Sequence, residues 1–536
     1  MRFIGVHFGH DSGIVVIDED GEVEFYAQCE RFKRKKNYGG YDYKAKKPAL
    51  SCLGDHFSEI GPLKEDDFCV LVSIGGDITI EKLWRTIGNT SQESIGYDPY
   101  LVRPYLPERE KNFIYWTLGR NPDVAINHHL AHIISAWCFR PNDEKRFFMA
   151  YDGVGLDALG IPHTSLVGEI GPDGFDYYPD ATVIPTSCCL TSFLGYNTAG
   201  KAMGLAGYVN EADFLPPYEF LVKTVELSMN PTTHTPQYFE IHKPRAGLTR
   251  EDRAYVAQFY KWYTNDIIWP TIEDNIAKYA KGRGVVLGGG TTLALELNTR
   301  IHGMVKDVVF GPPTDDSGLA LGAAAFAYYH YKGTWPKIKS PSLNTLQTPL
   351  IQHGPQEPDE IADLLANGKV VALLRGEAEA GPRALGYRSI LASAKNKNNL
   401  RRLSQRIKRR EFYRPLAPIV TDDQFDRFFE GPKGKYMQYR VQCTEEAKEV
   451  LPAIVHKDGT SRPQVVCKED DPWLHELLTI YGNTSGVECL INTSLNGRGK
   501  PICNTLQDAM KDLNEDMRRR EQVEIACLGE KPVTFL

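Results

Sequence analysis

Met1-Arg2-Phe3-Ile4-Gly5-Val6-His7-Phe8-Gly9-His10-Asp11-Ser12-Gly13-Ile14-Val15-Val16-Ile17-Asp18 is the stretch on which the fold turns. Two short apolar runs, Arg2–Val6 and Gly13–Asp18, flank Phe8-Gly9-His10-Asp11-Ser12. Apolar runs of this length around a glycine and small polar residues predict strand, turn, strand. The pattern returns at Arg146–Tyr151, a strand of the buried type that ends in Asp152-Gly153-Val154-Gly155, with more strand-like sequence after it.

Two such hairpins in one domain resemble the duplicated ribonuclease-H-like fold of the actin, sugar kinase and Hsp70 superfamily, whose hairpin tips face each other across a nucleotide cleft. The expected fold class is therefore α/β for this half, followed by an α+β half. Gly284–Leu287 reads as a further strand, and Gly288-Gly289-Gly290-Thr291 as the opening of a helix, Leu293–Arg300. Glycines let a backbone approach a ligand closely, and a helix N-terminus favours phosphate. Ser317–Tyr329 predicts a small-residue helix suited to tight packing. Gly333–Thr348 is the best linker, and beyond it Ile361–Leu374 reads as helix then strand. The expected domains are 1–340 and 353–536.

A chain of 536 residues is long enough for two or three domains, and 42% hydrophobic with 24% charged residues is ordinary for a soluble globular protein. No stretch approaches the ~18 apolar residues of a membrane span. The N-terminus reads as a strand, not a signal peptide, so a cytoplasmic protein is expected. The 11 scattered cysteines, with no Cys-x-x-Cys pair, predict reduced thiols. A net charge of −7 gives no general attraction to nucleic acid. The basic runs Arg31–Lys36, Lys44–Lys47 and Arg401–Arg410 read by default as solvated faces.

Two groups of residues carry chemistry. In Asn127-His128-His129-Leu130-Ala131-His132, His128 and His132 are four apart and share a helix face, where two imidazoles can chelate a divalent transition metal. The alternative is a packed histidine pair. Asp152 and Asp316 (in Thr314-Asp315-Asp316-Ser317-Gly318) favour the metal, since a His, His, Asp, Asp set leaves positions open for phosphate or acyl oxygens. His129 is the weaker ligand. His10, at the first hairpin tip, either takes a proton from an alcohol or only hydrogen-bonds the turn. The second group is Arg383, Arg388 and Ser389 in Gly381-Pro382-Arg383-Ala384-Leu385-Gly386-Tyr387-Arg388-Ser389, with Lys408, Arg414, Arg462, Asn492, Ser494 and Asn496 downstream. Guanidinium forks grip oxyanions bidentately, and the Asn/Ser loop adds neutral donors. For any one of these residues a surface salt bridge is the default; several clusters at strand ends and turns fit a pocket better.

Together these segments resemble the O-carbamoyltransferases of nodulation and antibiotic biosynthesis. The matching stretches are His10-Asp11, Glu30–Phe32 with Arg34–Lys36, His128–His132, Asp152-Gly153, Gly200–Ala206, Gly288–Gly290, Asp316, Gly381–Leu391, Arg414–Pro418, His456–Arg462 and Asn492–Asn496, in family order. Leu416, Leu495 and His456-Lys457-Asp458-Gly459 depart from the family pattern as packing changes. The resemblance implies a C-terminal domain like threonylcarbamoyl-AMP synthase, which makes carbamoyl-AMP from carbamoyl phosphate and ATP with Mg²⁺. It implies an N-terminal domain like the tRNA threonylcarbamoyl transferase, where iron or another divalent transition metal holds the intermediate while an acceptor hydroxyl attacks. Carried over, the metal ligands are His128, His132, Asp152 and Asp316, and His10 is the acceptor-side base. Lys36 and Lys201 steady phosphate or acceptor. Gly288, Gly289 and Gly290 approach the nucleotide, and Arg383, Arg388, Ser389, Lys408, Arg414, Arg462, Asn492, Ser494 and Asn496 bind the donor.

Three rivals stand beside this reading: a tRNA threonylcarbamoyl-type enzyme, a sugar-kinase or Hsp70-like ATPase, and a non-catalytic nucleotide sensor. The acceptor stays open between a small-molecule or sugar hydroxyl and a 5-hydroxymethylpyrimidine in DNA or nucleotide. Tyr38–Tyr43 and Trp84–Tyr105, rich in Tyr and Arg, are the expected acceptor region, since tyrosines stack on bases and sugars alike.

Overall fold

Strand β1 (Phe3–His7) pairs antiparallel with β2 (Gly13–Ile17), in register from Phe3 opposite Ile17 to His7 opposite Gly13. Every residue of both strands is buried, which is why the sequence reads as continuous apolar runs and not as an alternation. This is the computed structural model of the chain, and it describes residues 1–7, 9, 11–36, 38, 41–42, 47–48, 59–60, 64–72, 101–102, 123–156, 162–184, 199–216, 250–346 and 349–530. β3 (Val23–Gln28) adds antiparallel to β2, β4 (Phe68–Val72) parallel to β1, and β5 (Val124–Ile126) parallel to β4. The short strand Leu101–Val102 closes the edge, giving the order β3-β2-β1-β4-β5 and then that strand.

A second sheet repeats the scheme. β6 (Arg146–Leu156), β7 (Pro162–Gly171), β8 (Gly174–Tyr177), β9 (Val285–Gly288) and β10 (Val308–Phe310) lie in the order β8-β7-β6-β9-β10. As in the first sheet, the opening three strands pair antiparallel and the last two join in parallel. The helices that accompany these sheets include α1 (His128–Trp137), α2 (Ala199–Ala206), α3 (Arg250–Trp262), α4 (Leu295–His302) and α5 (Leu319–Lys332). The small residues of α5 let it wedge against β1 and α1: a Cβ on Gly5 would lie 2.0 Å from the Ala320 carbonyl, and one on Gly322 would lie 1.9 Å from that of Ala131. Any larger residue at either place forces the backbones apart.

The C-terminal half is built around a mixed six-stranded sheet of β11 (Val370–Arg375), β12 (Arg388–Ser393), β13 (Ala417–Thr421), β14 (Gln464–Val466), β15 (Cys489–Ser494) and β16 (Val523–Leu528), in the order β14-β13-β15-β12-β11-β16, beside a small three-stranded sheet of Phe429–Glu430, Val441–Cys443 and Thr460–Ser461. Helices α6 (Pro358–Ala366), which starts with a Glu357/Glu360 capping box, and α7 (Pro472–Ser485) pack on each other. The linker is stitched in: Ser342–Asn344 pairs with Ala378–Glu379, and the Thr345 N–H donates to the Tyr26 carbonyl. One continuous apolar cluster runs from Phe147 and Trp269 through Leu373 to Cys527, so the second sheet and the C-terminal sheet share a core.

Three expectations shift. Asp152 lies inside β6, because β7 pairs on as far as Pro162 opposite Leu156 while the parallel neighbour β9 stops opposite Ala150. The glycine triplet opens a 3₁₀ turn, Gly290–Leu293, and α4 begins only at Leu295. Asp316–Gly318 is likewise a turn ahead of α5, capped by the Asp315 carboxylate on the Ser317 N–H. Among the described residues no helix is long and apolar enough to cross a membrane.

Candidate active sites

Asn127 ends the approach to α1 and its side-chain oxygen accepts from the Leu130 N–H at 3.1 Å, so the helix starts with His128 and His132 on one face. That face meets Asp152 of β6 and Asp316 at the foot of α5. One ligand atom from each of the four lies within 4.8 Å of all the others. The His132 Nε2 is 2.7 Å from Asp152 Oδ2 and 3.5 Å from Asp316 Oδ1; the His128 Nε2 is 3.4 and 3.6 Å from the same oxygens. The two Nε2 atoms sit 3.3 Å apart, while the Nδ1 edges of both rings are buried with no hydrogen-bond partner among the described residues.

Two imidazole nitrogens and two carboxylates aimed at one point, all nearly enclosed, fit a divalent transition ion with bonds of ~2.1 Å. Burial disfavours the imidazolium of His132, yet its hydrogen bonds to Asp152 and Asp316 outweigh this and push its pKa up to about 9. Burial alone would raise the Asp152 carboxyl, and Asp316 adds to that, but the two histidines hold it well below the usual carboxylate range. His7, the last residue of β1, brings a third imidazole to 3.9 Å from Asp316. Sequence reasoning passed over it because a histidine ending an apolar strand carries no spacing signal.

The glycine triplet runs directly behind these ligands. A Cβ on Gly288 would touch the His132 backbone at 2.9 Å, and Gly289 sits at φ +93° with its absent Cβ 2.4 Å from the Tyr151 carbonyl. A Cβ on Gly290 would lie 2.9 Å from Asp152 Oδ1. Gly290 also lines a cavity of about 1550 Å³ between the two halves of the chain.

The opposite walls of that cavity are cationic. Arg383, Lys408, Arg410, Arg414 and Arg462 all line it. Burial and the neighbouring Arg414 push Arg383 down to about 10; burial, Arg414 and Arg383 push Arg410 to about 9. Burial and the neighbouring Arg383, Arg410 and Arg414 likewise hold Arg462 well below its ordinary value. Arg383 and Arg462 make no hydrogen bond or ion pair among the described residues, and Arg414 has only Glu411 at 3.8 Å. Burial drives His456, at the same wall, down to about 4, so it is neutral at pH 7. Lys408 is turned into the protein, donating to the carbonyls and side chains of Ser494 and Asn496, and so braces the loop that ends β15. Asn492 donates to Ala384 and Gln464, and its Oδ1 has no hydrogen-bond partner among the described residues. Such a cluster of like charges lacks only an anion.

The structure relocates several sequence-derived candidates. Arg388 is fully buried outside the cavity, donating from Nε to Asn504, from Nη1 to Arg375 and Tyr387, and from Nη2 to Gly376, all backbone carbonyls at 2.8–2.9 Å. It staples a turn and does not face a donor. Ser389 is equally buried and accepts from the Gly386 N–H at 3.0 Å. Arg31–Lys36 is no solvated face: Arg31 is buried and donates to the Gly381 carbonyl at 2.7 Å, while Lys36 reaches the cavity. His10, the Lys201 side chain, and all of the acceptor region except Tyr38 and the backbone at 41–42 and 101–102 lie outside the described residues.

Residues 362–529 match the family model described as the carbamoyltransferase C-terminus. Nodulation protein U of Rhizobium fredii is 35% identical over 542 residues, covering 93% of this chain and 90% of its own. Nodulation protein U of Azorhizobium caulinodans is 26% identical over 545 residues, covering 93% and 94%. Among solved structures, the activator of the 2-hydroxyisocaproyl-CoA dehydratase from Clostridium difficile with bound ADPNP covers 62% of this chain and 96% of its own, at 12% identity and a TM-score of 0.32. With a relative 35% identical along nearly the whole of both chains, this protein belongs to the nodulation protein U family of carbamoyltransferases.

Proposed function

We propose that the protein is an ATP-dependent O-carbamoyltransferase with two connected sites. Carbamoyl phosphate, ATP and water give carbamoyl-AMP, phosphate and pyrophosphate at the cationic wall. The carbamoyl carbon then passes to an acceptor hydroxyl near His128, His132, Asp152 and Asp316, giving an O-carbamate and AMP. The supporting observation is the juxtaposition at Gly290, which lines the cavity of Arg383 and Arg462 and whose Cβ, were it present, would lie 2.9 Å from Asp152 Oδ1. We read the two similarly wound N-terminal sheets as a duplicated ribonuclease-H-like pair, and the mixed C-terminal sheet as the threonylcarbamoyl-AMP-synthase-like half.

In this reading Arg383 and Arg462 bind the phosphates of the donors, which supply the counter-charge these guanidiniums lack. Arg410 and Lys408 hold the Ser494–Asn496 loop in place beside them. The Mg²⁺ of ATP enters with the nucleotide. Seating a hydrolysis-prone adenylate in a cavity walled by both halves limits its exposure to bulk water. His128, His132, Asp152 and Asp316 would hold iron(II) or another divalent transition ion, which would supply positive charge to the leaving phosphate. His10 is the proposed base for the acceptor hydroxyl, with Lys36 and Lys201 on the phosphate or acceptor side. The acceptor is a small-molecule or sugar hydroxyl or a 5-hydroxymethylpyrimidine.

The test is mass spectrometry with ATP, carbamoyl phosphate, Mg²⁺ and Fe²⁺, against sugar-bearing antibiotics and 5-hydroxymethylcytosine and 5-hydroxymethyluracil, free and in DNA. A gain of one carbamoyl group identifies the acceptor class. AMP and pyrophosphate that depend on carbamoyl phosphate support the donor half alone. Their absence from folded, metal-loaded protein sinks the proposal in favour of a kinase or sensor.

A further inference from the structure

The cationic cavity is not built by the C-terminal half alone. The short helix Cys29–Lys33 leaves the first sheet and ends at Arg34, whose φ of +53° is left-handed and whose N–H closes on the Glu30 carbonyl. Glycine is the residue that adopts this conformation without penalty. The residue that takes it here is an arginine. That side chain crosses to the other half: Nη1 donates to the Ile502 carbonyl at 2.7 Å and Nη2 to Asp512 Oδ2 at 2.5 Å, while Nε stands 3.4 Å from Asp508. A further contact joins Nη2 to the Cys503 sulfur at 3.3 Å.

Asp512 is nearly inaccessible and is a junction. Besides Arg34 it accepts from the Gly497 N–H at 2.8 Å and from the Lys500 ammonium at 2.7 Å. Gly497 follows Asn496, and both line the cavity. Two residues beyond Arg34, Lys36 enters the same cavity from the N-terminal side and makes no hydrogen bond or ion pair among the described residues. The left-handed turn at Arg34 is what redirects the chain so that Lys36 can do so. Arg31, three residues earlier, secures the other flank through the Gly381 carbonyl, at the start of the loop that carries Arg383.

We propose that residues 29–36 are a strut by which the N-terminal half completes the anion pocket of the C-terminal half, with Lys36 as a phosphate-binding group and Arg34 as the positioning residue that sets it through Asp512. This rests on the donor-site reading above. Arg34 itself touches no substrate; its guanidinium is spent on Asp512, Asp508 and Ile502. Its influence runs along the backbone to Lys36 and through Asp512 to the Gly497 loop.

The test uses inorganic pyrophosphate as the probe and calorimetric binding to the full-length protein as the readout, so it does not depend on turnover. Lys36→Ala should weaken pyrophosphate binding by about 10-fold, the value of one charge-assisted contact. Arg34→Ala should weaken it nearly as much, and the double variant should be little worse than Lys36→Ala, because residues acting as one unit are not additive. Arg34→Lys, which keeps a charge but loses the fork, should restore part of the affinity. Asp512→Asn serves as the second variant if Arg34→Ala does not fold, with the same expectation. Wild-type affinity in Arg34→Ala or Asp512→Asn overturns the proposal, as does a double variant in which the two losses multiply. Should pyrophosphate bind as expected while carbamoyl phosphate yields no AMP, the strut stands and the donor chemistry falls.

Discussion

Arg383, Arg462 and Arg388 lie on neighbouring C-terminal elements and carry the same side chain, yet their environments give them opposite consequences. Arg388 is fully buried and donates to four backbone carbonyls, so Arg388→Ala should destabilise the fold by about 3–5 kcal/mol in chemical denaturation. Arg462 adds unbalanced charge to a repelling cluster. Arg462→Met should therefore raise the melting temperature of the ligand-free protein by about 1–3 °C while abolishing stabilisation by pyrophosphate. Gly290→Ala places a methyl against Asp152, and metal content measured by mass spectrometry should fall on the order of 10-fold or more with the fold retained. His132→Ala should lose the metal and carbamoyl transfer while carbamoyl-phosphate-dependent AMP formation survives; loss of both activities would undo the division into two sites. The sequence announced the histidine pair, because a four-residue spacing is visible in one dimension. It could not separate Arg383 from Arg388, since both stand in one turn-rich motif and only the path of the chain decides which one meets solvent. His7 was hidden for a related reason: its partner Asp316 is 309 residues away and no local period links them.

At the level of elements, the apolar runs of β1, β2 and β6 were legible because strands covered on both faces are written as uninterrupted hydrophobic sequence. Element ends were less so. The helix after the glycine triplet starts late because a 3₁₀ turn intervenes, and Asp152 stays within its strand because the antiparallel partner continues past it. The basic stretch at Arg31–Lys36 looks like any solvated run until the acidic residues it meets, Asp508 and Asp512, arrive from the far end of the chain. Burial tends to raise the Asp512 carboxyl, but Lys500, Gly497 and Arg34 bring it below the usual carboxylate range. A depressed carboxylate contributes stability that is present above its unfolded pKa of ~3.9 and is lost as pH falls. The stability advantage of the wild type over Asp512→Asn should accordingly be full at pH 6 and shrink as the pH drops below about 4, which thermal melts across that range will read.

For the whole molecule, the continuous apolar cluster from Phe147 to Cys527 and the stitched linker tie the second sheet and the C-terminal half together. Calorimetry should show the second sheet and the C-terminal half melting in one cooperative transition, and two resolved transitions would argue for separate units. The shared core has a consequence for how this architecture can change. A half taken from a distant relative and grafted onto the other would meet a mismatched seam of large apolar side chains, so recombination at the linker is the wrong place to exchange specificities. Any change in what such a chain acts on has to arise by drift within an intact pair, with each half constraining the sequences open to its companion.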